Sequence, residues 1–326
     1  MKILLTHTPR AREQYYGPEA LAALAAAAET RLHEGEAPLG PDALVAAAAD
    51  VDLIVADRAT AVPAAVFGRL PALRAVLRVA VDISTIDVAA ASAAGVLVTR
   101  ARPGFVAAVS ELALGMMIDL SRGISRSVLA YRAGDAPEIR MGRQLAGSTA
   151  GIIGYGVIGR RLAAILAGLG MEVLVSDPHA AVTEAGLVQV GLPELLARAD
   201  YVVCLAVASP ETRDLIDAAA LARCKPGAFL LNLSRGSLVD EDAVAAALRE
   251  GRLAGAALDV GRAPDEMPSA SLAALPQVVA TPHVGGLTPQ AIAAQALETV
   301  AQVRAILAGR VPEGAVNAES WTRRPG

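Results

Sequence analysis

The run best suited to chemistry is Gly154-Tyr155-Gly156-Val157-Ile158-Gly159, a Gly-x-Gly-x-x-Gly spacing. In a chain with 29 glycines, the spacing alone says little. Its flanks give it meaning. The apolar run STAGII leads in, the Ala/Leu-rich RRLAAILAGLG leads out, and a second apolar run, MEVLVS, ends just before Asp177. In that setting Gly154 permits a tight turn, Gly156 lets the backbone approach a pyrophosphate, and Gly159 allows a helix to pack closely on a strand. The helix N-terminus then offers oriented N–H groups to the phosphates. Asp177 follows Gly159 by 18 residues, near the place of a carboxylate that binds adenosine ribose hydroxyls. A carboxylate there repels the extra phosphate of NADP and Pro178 supplies no cation, so the spacing predicts NAD.

Other reactive residue types are sparse. The four histidines, His7, His33, His179 and His283, form no i,i+4 helical pair and no His-Glu-x-x-His. Cys204 lies inside the apolar run YVVCLAV and Cys224 precedes Lys-Pro-Gly. Neither belongs to a metal-ligand spacing, so no metal is expected, and two lone cysteines suit the cytoplasm. Arg235 follows an apolar run and precedes Gly236. This places it at the C-terminal end of a strand, where open α/β sheets take ligands. Lys and Arg total 29 against 33 Asp and Glu, a net charge of −4, which argues against a nucleic-acid partner bound through a basic face. The mean hydropathy of +0.46 comes from alanine. No run approaches the roughly 20 apolar residues of a spanning helix, so no membrane is expected. The start, MKILLTHTPR, reads as a strand and not as a signal peptide.

At 326 residues the chain suggests two domains. Apolar runs alternate with alanine-rich helical segments almost throughout. In the first third, 2–6, 51–56, 74–80 and 95–99 read as strands, and 18–31, 41–49, 63–70 and 86–94 as helices. Fully apolar strands in such alternation imply parallel sheets covered on both faces. One long helix is expected from about Val106 to Arg132, followed by a polar loop over 133–147. The alternation then restarts as a second α/β unit, and a last helix falls near 288–309.

Nearly the whole chain resembles the D-isomer-specific 2-hydroxyacid dehydrogenases. The likeness is carried by SPETRDLID (209–217), KPGAFLLNLSRGSLVDEDAVAAAL (225–248), GRLAGAALDV (251–260) and ATPHVGG (280–286). It implies an α/β fold in which a Rossmann-type NAD domain, 100–286, is inserted into a smaller flavodoxin-like substrate domain built from 1–99 and 287–326. The active site would lie in the cleft between them. It also implies a homodimer formed through the 106–132 helix. Arg235 matches the substrate-binding arginine, whose planar guanidinium can hold a carboxylate while polarising the adjacent keto oxygen. His283 matches the acid/base, a role suited to imidazole near neutral pH. Asp259 resembles the residue that holds the nicotinamide carboxamide, and Leu233, Ser234, Arg235, His283 and Gly285 fall among the cofactor-lining positions.

The resemblance fails at two places. The family's Leu-Asp-Val usually leads, after a Phe, into a Glu-x-Glu-Pro run whose later Glu pairs with the catalytic His. Here the run is LDVGRAPDEMPS and that position is Pro264. A shift of one or two residues would bring in Asp265 or Glu266, and both stay open. The family's glycine-rich substrate loop is here Ala80-Val81-Asp82, with Asp82 placed where an anionic substrate is expected and Arg78 upstream as a possible partner. The expected activity is NAD-dependent hydride transfer between a 2-hydroxy and a 2-keto acid, with Arg235 anchoring substrate and His283 moving the proton. The alternatives are a dehydrogenase of an unusual acid, phosphite- or phosphoglycerate-like, and an NAD-sensing regulatory protein with little turnover.

Overall fold

The computed structural model describes residues 1–325, and at Asp265 the backbone alone. The chain divides into two units, Met1–Phe105 with Thr288–Gly326, and Val106–Leu287.

The first unit holds five parallel strands, β1 (Lys2–Leu5), β2 (Glu29–Leu32), β3 (Leu53–Ala56), β4 (Ala75–Arg78) and β5 (Leu97–Arg100), in the flavodoxin-like order β2-β1-β3-β4-β5. Side chains alternate across a strand. Ile3, Leu5, Leu53, Val55, Ala75 and Leu77 therefore meet helices Pro18–Ala27 and Pro289–Leu307 on one face. Leu4, Ile54, Val76 and Val98 meet Leu44, Val66, Phe67 and Ala91 on the other. Both faces are covered, which is why the strands read as unbroken apolar runs. Three expectations are corrected here. The helix expected over 18–31 ends at Ala27, and Glu29–Leu32 is an edge strand paired with β1. Its polar, half-exposed residues carry no apolar signal, and its pairing with β1 is a tertiary fact. The last helix ends at Leu307. Residues 100–105 stay with the first unit: Arg100 N–H donates to the Gly314 carbonyl at 3.0 Å, and Arg102 pairs with Glu298 and Glu313 at 3.1 and 2.8 Å.

The second unit is a seven-stranded parallel sheet. Its strands are β6 (Thr149–Ile153), β7 (Glu172–Ser176), β8 (Leu187–Gln189), β9 (Tyr201–Cys204), β10 (Ala228–Asn232), β11 (Leu253–Leu258) and β12 (Val278–Ala280). The order β12-β11-β10-β9-β6-β7-β8 reverses direction between β6 and β9, the switch point at which Rossmann-type sheets open a crevice. The single helix expected over 106–132 is two, Val106–Arg122 and Ile124–Ala133. Gly123 breaks it with φ 63°, and the Asp119 carboxylate accepts the Ser125 N–H at 2.8 Å to start the second segment. Among the described residues, no helix is long and apolar enough to cross a membrane, and no group of His, Cys, Asp and Glu has the spacing of a metal site.

Candidate active site

The glycine turn joins β6 to helix Val157–Gly168. Gly154 has φ 97°, and a Cβ there would stand 2.6 Å from the Ala206 nitrogen. Only glycine fits such a turn. Gly159 faces the Gly154 carbonyl so closely that a Cβ would collide with it. Gly156 caps the helix with nothing within 4 Å of its Cβ direction, so the N-terminus is open to an approaching phosphate. Val157 is exposed and Ile158 half-buried beside it. Tyr155 is buried under the Arg160 guanidinium, 4.3 Å from the ring centre. Just past the end of β7, the Asp177 carboxylate accepts N–H groups of Tyr155, His179 and Ala180 at 2.6, 2.8 and 3.0 Å. Burial alone would raise its pKa, but the three backbone donors outweigh burial and hold the carboxyl below its usual value. A fixed negative charge at this place suits ribose hydroxyls. The turn therefore fits a dinucleotide in shape and in donors.

Arg235 sits just past the end of β10. The buried Asn232 braces this turn, its Oδ1 accepting the Ser234 N–H at 3.1 Å and its Nδ2 donating to the Arg235 carbonyl at 2.9 Å. The Ser234 hydroxyl donates to the Ala206 carbonyl at 2.5 Å, while Leu233 is buried. The Arg235 Nη1 donates to the Ser234 carbonyl at 2.8 Å, and the side chain stays 39% exposed. Asn232 went unnoticed in the sequence. An asparagine inside the apolar run AFLLNLS was the available signal, since a buried amide must be satisfied by something.

The loop carrying His283 hangs on Asp259, which is 2% exposed at the end of β11. Its carboxylate accepts the Thr281 hydroxyl at 2.7 Å and the Val284 and Gly285 N–H groups at 2.8 Å each. The Asp259 carbonyl accepts the His283 N–H at 2.9 Å. A Cβ on Gly285 would stand 2.7 Å from the Asp259 carboxylate, so that position needs glycine. Whatever it does toward a cofactor, Asp259 holds the histidine loop. His283 itself takes φ 54° and is 22% exposed.

Glu266 completes the arrangement. The 3-10 turn Pro264–Glu266 swings it back with φ 57°. Its Oε1 lies 3.4 Å from Arg235 Nε and its Oε2 lies 3.8 Å from His283 Nδ1. Pro264 occupies the expected position, and the carboxylate is supplied two residues later. The Asp265 side chain lies outside the described residues. Arg235 and Glu266 are both partly exposed, so their ion pair contributes only about 0.2–1 kcal/mol. What the trio provides is geometry: a guanidinium and an imidazole brought beside one shared carboxylate.

In the first unit, one expected site residue is corrected. Arg78 is fully buried, and its guanidinium donates to the carbonyls of Asp57 and Thr60, the latter at 3.0 Å, and to the Thr85 hydroxyl at 2.6 Å. Burial pushes it down to about 10. It braces the loops past β3 and β4 and presents nothing to a substrate. Ala80 and Val81 are half-buried, and exposed Asp82 accepts the Ser84 N–H at 2.8 Å in a local turn.

Comparison with known proteins places this geometry. The family model described as "D-isomer specific 2-hydroxyacid dehydrogenase, NAD binding domain" matches residues 114–285. The D-3-phosphoglycerate dehydrogenase of Mycobacterium leprae is 37% identical over 286 residues, 86% of this chain and 54% of that protein. The chain thus spans about half the length of that relative. The (S)-sulfolactate dehydrogenase of Chromohalobacter salexigens is 36% identical over 272 residues, 82% of this chain and 88% of that one. Among solved structures, the TT0316 protein of Thermus thermophilus superposes with a TM-score of 0.85 at 30% identity, covering 97% of this chain and all of the other.

Proposed function

Since the chain belongs to the D-isomer-specific 2-hydroxyacid dehydrogenase family, we propose that it interconverts a 2-hydroxy acid and its 2-keto acid, with NAD(H) as the hydride carrier. The observation that carries this reading is the Arg235–Glu266–His283 constellation beyond the C-terminal ends of β10 and β11. Arg235 binds the substrate carboxylate and polarises the keto oxygen beside it. His283, as imidazolium, gives its proton to that oxygen during reduction and takes it back in oxidation. Glu266 lies beside both groups and holds them toward one another. Bound at the Gly154–Gly159 turn, the nicotinamide cofactor supplies or accepts the hydride.

The experiment is NADH oxidation by the purified protein against a panel of 2-keto acids: glyoxylate, pyruvate, hydroxypyruvate, branched and aromatic members, and members bearing a phosphate or a sulfonate. Turnover of any of them supports the reading. NADH binding without turnover across the panel favours the NAD-sensing alternative.

The Ile124–Ala133 helix supports a homodimer. It buries none of its residues in this chain and exposes Ile124, Val128 and Tyr131 at helical i, i+4, i+7 spacing, an apolar strip that a second copy would cover. Sedimentation of wild type and Tyr131→Asp tests this, with the variant expected to be monomeric. The two cysteines are unpaired thiols, as suits the cytoplasm, and fractionation of cells tests that location.

A further inference from the structure

We propose that Arg262 is a positioning residue that fixes the Glu266 loop against the Arg235 turn and so sets the geometry of the acid–base pair. The inference rests on the hydride-transfer reading above.

Glu266 lies two residues beyond the place where the sequence calls for a carboxylate, so a longer loop must be folded and held. Within itself the loop closes through the Gly261 N–H on the Glu266 carbonyl at 2.8 Å and the Ala263 N–H on the Met267 carbonyl at 3.0 Å. These bonds shape the loop but do not aim it. Glu266 also sits at φ 57°, a region that a non-glycine residue keeps only when its surroundings hold it there.

Arg262 supplies three attachments. Its backbone N–H donates to Glu241 Oε1 at 2.9 Å, its Nε donates to the Gly236 carbonyl at 3.3 Å, and its Nη2 pairs with the Asp214 carboxylate. Asp214 is tied in turn to the same turn through its N–H on the Ser237 carbonyl at 2.9 Å. The guanidinium thus grips the residue that follows Arg235 while its backbone belongs to the loop that carries Glu266. A cavity of about 340 Å³, lined by Arg213, Gly236, Gly261, Arg262 and Glu266, opens beside the contact.

The test compares Arg262→Gln, Glu266→Gln and the double variant by kcat, KM and NADH affinity. Arg262→Gln is expected to lower kcat for keto-acid reduction by roughly ten- to a hundred-fold, the scale of a reacting group displaced by about an ångström. NADH affinity should hold, and the pH profile of the rate should change in the same way as in Glu266→Gln. In the double variant the losses should not multiply, because both act through one carboxylate. Arg262→Lys should recover part of the rate, as it keeps the charge facing Asp214. Arg213→Gln is the control, since Arg213 also faces Asp214, at 3.7 Å, and should behave as wild type. A wild-type rate and pH profile in Arg262→Gln, or losses that multiply fully, overturn the proposal. If the wild type reduces no 2-keto acid, the reading itself fails, and imidazole NMR decides the geometry separately. The His283 signals, identified by their loss in His283→Gln, should be displaced alike by Arg262→Gln and Glu266→Gln. Signals left in place by Arg262→Gln overturn the positioning role.

Discussion

The Glu266 carboxylate stands 3.8 Å from His283 Nδ1 although seventeen sequence positions separate them and both residues occupy left-handed backbone. Two non-glycine residues held in that region beside one another mark a place where the fold sustains local strain for the sake of position. The carboxylate is shared with Arg235 at 3.4 Å, so a change at any of the three alters the other two.

His283→Ala should lower kcat for keto-acid reduction by roughly 10²–10⁴-fold, the range of a positioned acid/base. NADH affinity should be nearly unchanged, because the glycine turn that receives the cofactor lies on β6 and not on the histidine loop. Steady-state kinetics with a parallel fluorescence titration checks both halves. An undiminished kcat removes His283 from the chemistry.

Glu266→Gln should lower kcat for keto-acid reduction by roughly ten- to a hundred-fold, because the one carboxylate that lies beside both Arg235 and His283 is lost. Asp265→Asn is measured beside it by the same steady-state kinetics and should keep the wild-type rate. If only Asp265→Asn slows the reaction, the working carboxylate is the neighbouring residue.

NADH should bind more tightly than NADPH. The Asp177 carboxylate, held ionised by three backbone N–H donors, would stand beside the adenosine ribose of a dinucleotide bound at the glycine turn and would repel a 2′-phosphate. Titrating both cofactors by fluorescence decides this, and equal affinities would contradict it. Asp177→Ser should narrow the gap between them.

Stability should also depend on pH through His7, which is buried in the first unit among Asp57, Arg12 and Arg78. Burial pushes its imidazole down to about 4, and the nearby Asp57 carboxylate only partly offsets this. Between pH 6.5 and 4 the unfolded chain takes a proton that the folded chain refuses. Stability is therefore full above 6.5 and is lost as pH falls toward 4, by roughly 3 kcal/mol. Urea unfolding at pH 7 and pH 4.5 should show a smaller loss for His7→Gln than for the wild type. Equal losses would mean that His7 gains its proton without penalty when folded.

The sequence alone determined the glycine turn and the parallel sheets, while its resemblance to the family pointed to Arg235 and His283. The turn and the sheets are written in local terms. A glycine that must take φ 97° and a strand apolar on both faces leave their mark within a few positions. Asp177 was legible for the same reason, lying one βαβ unit beyond the turn. What the sequence could not decide depended on groups far apart in the chain. Arg78 read as a partner for Asp82 beside the substrate loop because it lies just upstream, yet carbonyls of Asp57 and Thr60 receive it in the interior. The Glu29–Leu32 edge strand exists because β1 offers it a partner, and its own residues do not announce it. Where the Glu266 carboxylate points is a matter of angle. A left-handed turn and the grip of Arg262 on Gly236 set it, and each is fixed by contacts that only the folded chain makes.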